Sequence, residues 1–280
     1  MSVLSSKYFH DEAAAFAHLE NILWNGSPVC PHCGSVSGKH YDLGKNRLGL
    51  RKCSDCRKQF TVKVGTVFES AHIPLSKMLQ AVYLMTSSKK GISAHQIHRI
   101  IGVTYKSAWF LCHRIREAMR SDAHLAAGGL GGLNKVVEID ETYVGGKEKN
   151  KHAYKRTPGS QGGAGKIAVM GIMERDGELR AKVVPDTTAK TLDAELAANV
   201  APGSNVLTDE HKGYNGVGKR FHHHTANHSI GQYVKHYFIH TNGLENAWSL
   251  FKRKVNGIHH WVSGEHLDRY LAEFTFRHNR

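Results

Sequence analysis

Two cysteine pairs, Cys30-Pro31-His32-Cys33 and Cys53-Ser54-Asp55-Cys56, constrain the fold more than any other feature of this chain, and 19 residues separate them. Each pair forms a knuckle of two thiolates. Four soft thiolates closing on one ion make the tetrahedral shell that Zn2+ prefers. A shell closed by Cys30, Cys33, Cys53 and Cys56 has no open position, so the ion is expected to hold the fold and to take no part in chemistry. The competing readings are a rubredoxin-like iron site, a redox pair and a chance grouping of buried thiols. His32 and His40 are spare ligands that four cysteines make unnecessary. Cys112 stands apart and reads as a packed thiol. Lys45, Arg47, Arg51, Lys52, Arg57, Lys58 and Lys63 surround the knuckles and suit a ribbon lying along a nucleic-acid backbone, the plainer reading being ordinary solvated charge.

Charge narrows the partner. Lys and Arg number 38 against 24 Asp and Glu, a formal net charge of +14. So large an excess favours a polyanion, because each neutralised phosphate releases counterions, but it does not choose among DNA, RNA and an anionic membrane. No run approaches the ~18 apolar residues of a membrane span. The first 20 residues have early acids and no continuous apolar run, so no secretory signal is read and a cytoplasmic location is expected. A reducing compartment favours cysteines as ligands over disulfides.

Periodicity divides the chain into three expected domains: an N-terminal helix and ribbon over 1–66, a helical module over 67–126 and an α/β domain over 127–280. Phe9, Ala13, Phe16 and Leu19 have helical spacing within residues 1–20. Pro74 suits a first helical turn, followed by Leu75, Met78, Leu79, Val82 and Tyr83. Ser93 is a good N-cap for a helix ending at Gly102, and Thr104 for a helix carrying Ala108, Leu111 and Ile115. Residues 92–118 thus have the grammar of a helix-turn-helix whose second helix presents Lys106, Ser107, Arg114 and Arg116 away from its apolar stripe, with Trp109 and Phe110 in the core. A small helical bundle gives the same periodicity.

Beyond the Gly-rich segment 123–132 the pattern becomes strand-like at 135–139, 166–173, 179–184 and 205–207, with a helix over 188–198 and two more over 244–255 and 265–274. A basic, glycine-rich loop lies between the first two strands. A mixed sheet with helices is the expected architecture.

Carboxylates sit at the ends of two of these strands. In Glu138-Ile139-Asp140-Glu141, an Ile139 that points into the core turns Asp140 to the opposite face. Asp209 ends the strand Asn205-Val206-Leu207 in the same way. Glu245 opens a helix, and Lys252, seven residues on, shares its face. Hard oxygen ligands without soft partners favour Mg2+ or Mn2+. Metal ions held by Asp140, Asp209 and Glu245 would activate a water or a 3′-hydroxyl for phosphoryl transfer. The plainer role for these acids is capping helices and pairing with basic residues. His211 and His240 are candidates to orient phosphate or water. The His222-His223-His224 run, with His228 and His236, reads as a polar strand or loop in preference to a metal site. The Gly145-Gly146-Lys147 and Gly162-Gly163 segments lack Walker spacing and do not imply ATP.

In combination and order, the CPHC…CSDC ribbon and the segments VEIDETYVGGK, LTDEHKGY and HTNGLENAWSLFKR resemble the ISXO2-like insertion-sequence transposases over about residues 15–275. The resemblance implies a ribonuclease-H-like catalytic domain of the DDE group, preceded by a zinc ribbon and a helix-turn-helix-like module. It assigns the catalytic acids to Asp140 and Asp209 and the third metal position to Glu245, with Asn246 and Asn242 as alternatives, and Lys252 as the trailing base. It further implies cleavage and strand transfer of double-stranded inverted-repeat DNA into a target, by a homo-oligomer on paired ends. Lys106, Arg114, Arg116, Lys147 and Arg253 are the expected DNA contacts, and a nucleoid association follows when DNA is bound. Two other functions remain open: a DNA-binding regulator derived from a transposase, and a nuclease that cuts without joining.

Overall fold

The computed structural model describes residues 3–36, 39–120, 129–146, 150–156, 158, 163, 165–226 and 241–280. The chain divides into two compact units, Met1–Ala118 and Met119–Arg280.

In the first unit, α1 (Glu12–Trp24) starts where the Asp11 side chain accepts from the Ala14 N–H at 2.7 Å, and it stops at Asn25 in the left-handed region. The helical spacing seen over residues 1–20 is therefore split. Phe9 is buried from a preceding 3-10 turn, while α1 buries Ala15 and Leu19 and leaves Ala13 exposed. The ribbon follows as three two-residue strands, β1 (Tyr41–Asp42), β2 (Arg51–Lys52) and β3 (Gln59–Phe60), paired antiparallel in that order. So few strand residues bury little: the ribbon core is Cys30, Cys53 and Phe60, with Trp24 against it.

Three helices complete the unit: α2 (Leu75–Ser87), α3 (Ala94–Ile101) and α4 (Tyr105–Ala118). Pro74 is the N-cap of α2 and offers no side-chain acceptor. Glu12 of α1 supplies one from a distance, its two carboxylate oxygens accepting from the Leu75 and Ser76 N–H groups at 2.7 and 3.0 Å. A carboxylate there also meets the positive end of the helix dipole. Ser93 forms a full capping box with Gln96, Gly102 ends α3 at φ +63°, and the Thr104 hydroxyl accepts from the Ser107 N–H, as their sequence positions predict.

The second unit contains a short parallel pair, β4 (Leu130–Gly131) with β8 (Val200–Ala201), and a five-stranded mixed sheet. The sheet strands are β5 (Val136–Val144), β6 (Ile167–Glu174), β7 (Leu179–Val184), β9 (Asn205–Thr208) and β10 (His222–Thr225), in the spatial order β10-β9-β5-β6-β7. β5, β6 and β7 are antiparallel neighbours, whereas β9 runs parallel to both β5 and β10. The helices are α5 (Ala189–Asn199), α6 (Asn242–Lys254) and α7 (Gly264–His278).

Strand alternation separates two cores. Val137, Ile139, Met170 and Ile172 pack with Leu192 and Leu196 of α5; Val169 and Met173 pack with Leu244, Trp248 and Phe251 of α6 and Leu271 and Phe274 of α7. The sheet therefore lies between α5 on one face and α6 and α7 on the other. Among the described residues, no helix is long and apolar enough to cross a membrane.

Candidate metal and acid sites

The four cysteine sulfurs converge: their Sγ atoms all lie within 4.8 Å of one another, with Cys30 near Cys56 and Cys33 near Cys53, each pair at 3.7 Å. Tight backbone turns aim them, since the Cys30 N–H donates to the Ser35 carbonyl and the Cys53 N–H to the Lys58 carbonyl. Burial opposes ionisation of the Cys53 thiol, but N–H donors from Cys56 and Asp55 and the neighbouring thiols lower its pKa. The thiolate is the form that binds metal. His32 and His40 each make a 3.3 Å contact with a backbone carbonyl, of Gln59 and Ser35 respectively, and stand outside the sulfur cluster. The donor set fits a structural zinc. Arg51 is held by a 3.0 Å ion pair to Glu20 and lies over the Trp24 ring; the Lys63 ammonium donates to the Ala71 carbonyl. Lys45, Arg47, Arg57 and Lys58 remain exposed.

In the α/β unit the first two acids are brought together by strand register. Val136, Val137 and Glu138 of β5 pair with Asn205, Val206 and Leu207 of β9. Asp140 and Asp209 each lie two residues beyond the last of these pairs, Asp140 within β5 and Asp209 just past the end of β9. The Asp209 carboxylate is oriented by the His211 N–H at 3.0 Å.

The third acid depends on how closely α6 approaches the sheet. Gly171 pairs with Asp140 across β5 and β6, and a Cβ there would stand 2.4 Å from the Trp248 ring. Only glycine lets Trp248 settle so low. Glu138, one side-chain repeat before Asp140 on the same face, fixes the helix start: one oxygen accepts from the Leu244 N–H at 3.0 Å, and the other pairs with Arg175 at 2.7 Å. Glu245 then lies in the first turn of α6, and Lys252 projects from the same helix face, exposed.

The electrostatics report the resulting proximity. Burial, then the charge of Asp209, then that of Glu245, lift the Asp140 carboxyl to about 7, against the opposing pull of the Glu141 N–H and the Lys252 ammonium. Burial and the charges of Asp209 and Asp140 lift Glu141 to about 8, and the Tyr214 hydroxyl donates to its carboxylate. Negative charge crowded into a partly buried space, with oxygen donors and no soft ligand, suits a hard divalent cation. These acids are less tightly gathered than the cysteines, which are the one such group within 4.8 Å among the described residues.

Two predictions arise here. A raised carboxyl pKa means that the folded state holds its proton to higher pH than the unfolded chain does. With no divalent ion on these acids, the α/β unit should therefore lose stability as pH rises from about 4 to about 8. Denaturant titrations without added Mg2+ or Mn2+ across that range should show a smaller loss for the Asp140→Asn, Glu141→Gln double variant. Glu138→Ala should cost about 2–3 kcal/mol, because it strands the Leu244 N–H and the Arg175 charge, measured as a lower denaturation midpoint.

Several expected positions are corrected. Arg116 is 1 % exposed and does not project from α4. An apolar stripe marks one face of a helix but cannot show that a long basic chain on its margin is covered too. Arg114 is half-buried, with its guanidinium on the Val67 and Glu69 carbonyls, and so works within its own unit. Phe110, expected in the core, is 56 % exposed, whereas Cys112 is buried as expected. Lys106 and Arg253 are exposed; Arg253 donates to the Ser249 hydroxyl. Lys147, His228, His236 and His240 lie outside the described residues. His222, His223 and His224 form β10, where the His223 ring meets the Thr208 hydroxyl at 2.8 Å, and the His211 ring nitrogen accepts from the Gly213 N–H. The sequence reading missed Glu138 and Glu141. Alternation alone places Glu138 beside Asp140, which was the available signal.

The sequence model of the ISXO2-like transposase domain matches residues 130–279, more than half of the chain, and that of the transposase zinc-ribbon domain matches residues 10–59. No curated protein sequence matches. The sulfur cluster lies within the zinc-ribbon match, and Asp140, Asp209, Glu245 and Lys252 lie within the transposase-domain match. On the extent of these matches, the chain belongs to the ISXO2-like transposase family.

Proposed function

We propose that the protein cuts the inverted-repeat ends of an insertion sequence and joins them to a target DNA, with Asp140, Asp209 and Glu245 holding catalytic Mg2+ or Mn2+. The observation that carries this reading is the electrostatic convergence of Asp140 in the middle of β5, Asp209 just past the end of β9, one helix glutamate and one lysine within the segment that matches the transposase domain. A divalent ion bound by these acids supplies charge stabilisation for the attacking and leaving oxygens of an in-line phosphoryl transfer. The protein's own groups do the rest. The His211 N–H steadies Asp209, Glu138 and Gly171 set the depth of α6, and Lys252 offers an exposed cation to the phosphate beside the acids.

The five-stranded mixed sheet, with Asp140 on β5 and Asp209 just past the end of the adjacent parallel β9, supports a ribonuclease-H-like catalytic domain over 127–280. Helices α3 and α4, with an αL glycine between them, support a helix-turn-helix-like module over 67–126, following the ribbon domain of 1–66. Exposed Lys106 and Arg253 and the four exposed ribbon cations are then DNA contacts, and Lys147 is assigned with them from its sequence position. Action on paired ends calls for a homo-oligomer on the DNA.

Product analysis tests the reading. Labelled inverted-repeat duplex, a target plasmid and Mg2+ should yield joined strands, and omission of Mg2+ should abolish them. Cleavage without joining would assign a nuclease, and binding without cleavage in either metal a DNA-binding regulator.

A further inference from the structure

Helix α6 does not end in an ordinary cap. It passes into a π-helical turn, Val255–His259, a form found mostly at functional sites. The next residue, His260, has φ +61° and ψ −42°, and across it the Trp261 N–H donates to the His259 carbonyl at 2.7 Å. This is the rare, strained hand of the γ-turn at a residue with a full side chain. Strain of this kind persists where the surroundings impose it, and it clusters at ligand sites. The turn leaves the Trp261 indole 68 % exposed, although burying it would stabilise the fold.

Trp261 borders a cavity of about 550 Å³ within the α/β unit. Its lining includes the buried Phe251, Val255 and Val262, together with Lys252. One of these residues ties the cavity to the acids: Lys252 is the cation whose charge acts on Asp140.

The chemistry of the lining narrows the occupant. An exposed indole at the rim and an apolar floor that includes Phe251 suit a flat ring, and a lysine in the lining suits an attached anion and repels a cationic ligand. An aliphatic ligand leaves Lys252 without purpose, and a free phosphate leaves the rings without purpose. A nucleotide has both parts, but a base offers its face to an indole only after leaving the duplex stack. We propose that Trp261 stacks on one unstacked DNA base, received in the cavity over Phe251, with Lys252 on the phosphate of that nucleotide. The proposal rests on the DNA-processing reading above and adds a strand distortion next to the cut.

The test uses the full chain and inverted-repeat duplex carrying 2-aminopurine at one position at a time through its terminus, without divalent ion so that no strand is cut. Anisotropy reports binding, and 2-aminopurine emission reports stacking. At one position the bound duplex should differ in emission from the free duplex. Trp261→Phe, which keeps a stacking face, should preserve that emission. Trp261→Ala should change it, to the level of the free duplex or of a free nucleotide, while the duplex stays bound. In Mg2+, Trp261→Ala should slow joining roughly tenfold, the scale of one lost stack. A bound duplex with no responsive position, or an unchanged signal in Trp261→Ala, overturns the proposal and leaves the DNA-processing reading standing. A duplex that does not bind overturns that reading and the proposal together.

Discussion

Asp140→Asn is expected to reduce strand joining about a thousandfold while leaving the affinity for inverted-repeat duplex within a few-fold of the unmodified protein. Asparagine keeps the size of the side chain and one carbonyl oxygen but removes the charge that helps hold a divalent ion. Metal-supplied charge stabilisation amounts to several kcal/mol, and each ~1.4 kcal/mol is a factor of ten in rate. The same change removes one of several carboxylates that oppose one another's ionisation, with Asp209 and Glu245 both lifting Asp140. The variant should therefore be no less stable than the parent above neutral pH without added Mg2+ or Mn2+, and a loss of activity is then not a loss of fold. Quantitative joining assays in Mg2+ and melts without it on one preparation separate the two. Joining at the parental rate would remove Asp140 from the site.

Cys53→Ser is expected to empty the ribbon of zinc and unfold it. Cys53 is wholly buried, and the local core consists of little more than Cys30, Cys53 and Phe60, so metal ligation is what holds the two knuckles together. In small structural zinc sites, binding contributes about 10–16 kcal/mol that is at once folding free energy. Metal analysis should fall from one zinc per chain to near none, and proteolysis should open sites between Cys30 and Phe60. Stoichiometric zinc in the variant, with the ribbon still protease-resistant, would contradict the assignment.

How far the sequence reached depended on whether a feature was local. Cysteine spacing announces a metal ribbon because the ligand set is the motif itself. Ser93, Gly102 and Thr104 announce helix ends because capping involves residues three or four apart. The convergence of Asp140 with Asp209 follows from parallel pairing once the strands are placed. Glu138 was less accessible, since its partner Leu244 lies 106 residues away. Arg116 and Phe110 were misplaced for a related reason: helical period groups residues by face without saying which faces are covered. Trp261 had no signal at all, because a π-helical turn and a γ-turn at His260 have no propensity signature.

Asp209→Cys tests most directly whether these acids hold a catalytic metal. A thiolate is a poor ligand for Mg2+ and a more acceptable one for Mn2+. The variant should bind inverted-repeat duplex, fail to join it in Mg2+, and recover joining in Mn2+. Undiminished joining in Mg2+, or no recovery in Mn2+ while the duplex remains bound, would contradict the account.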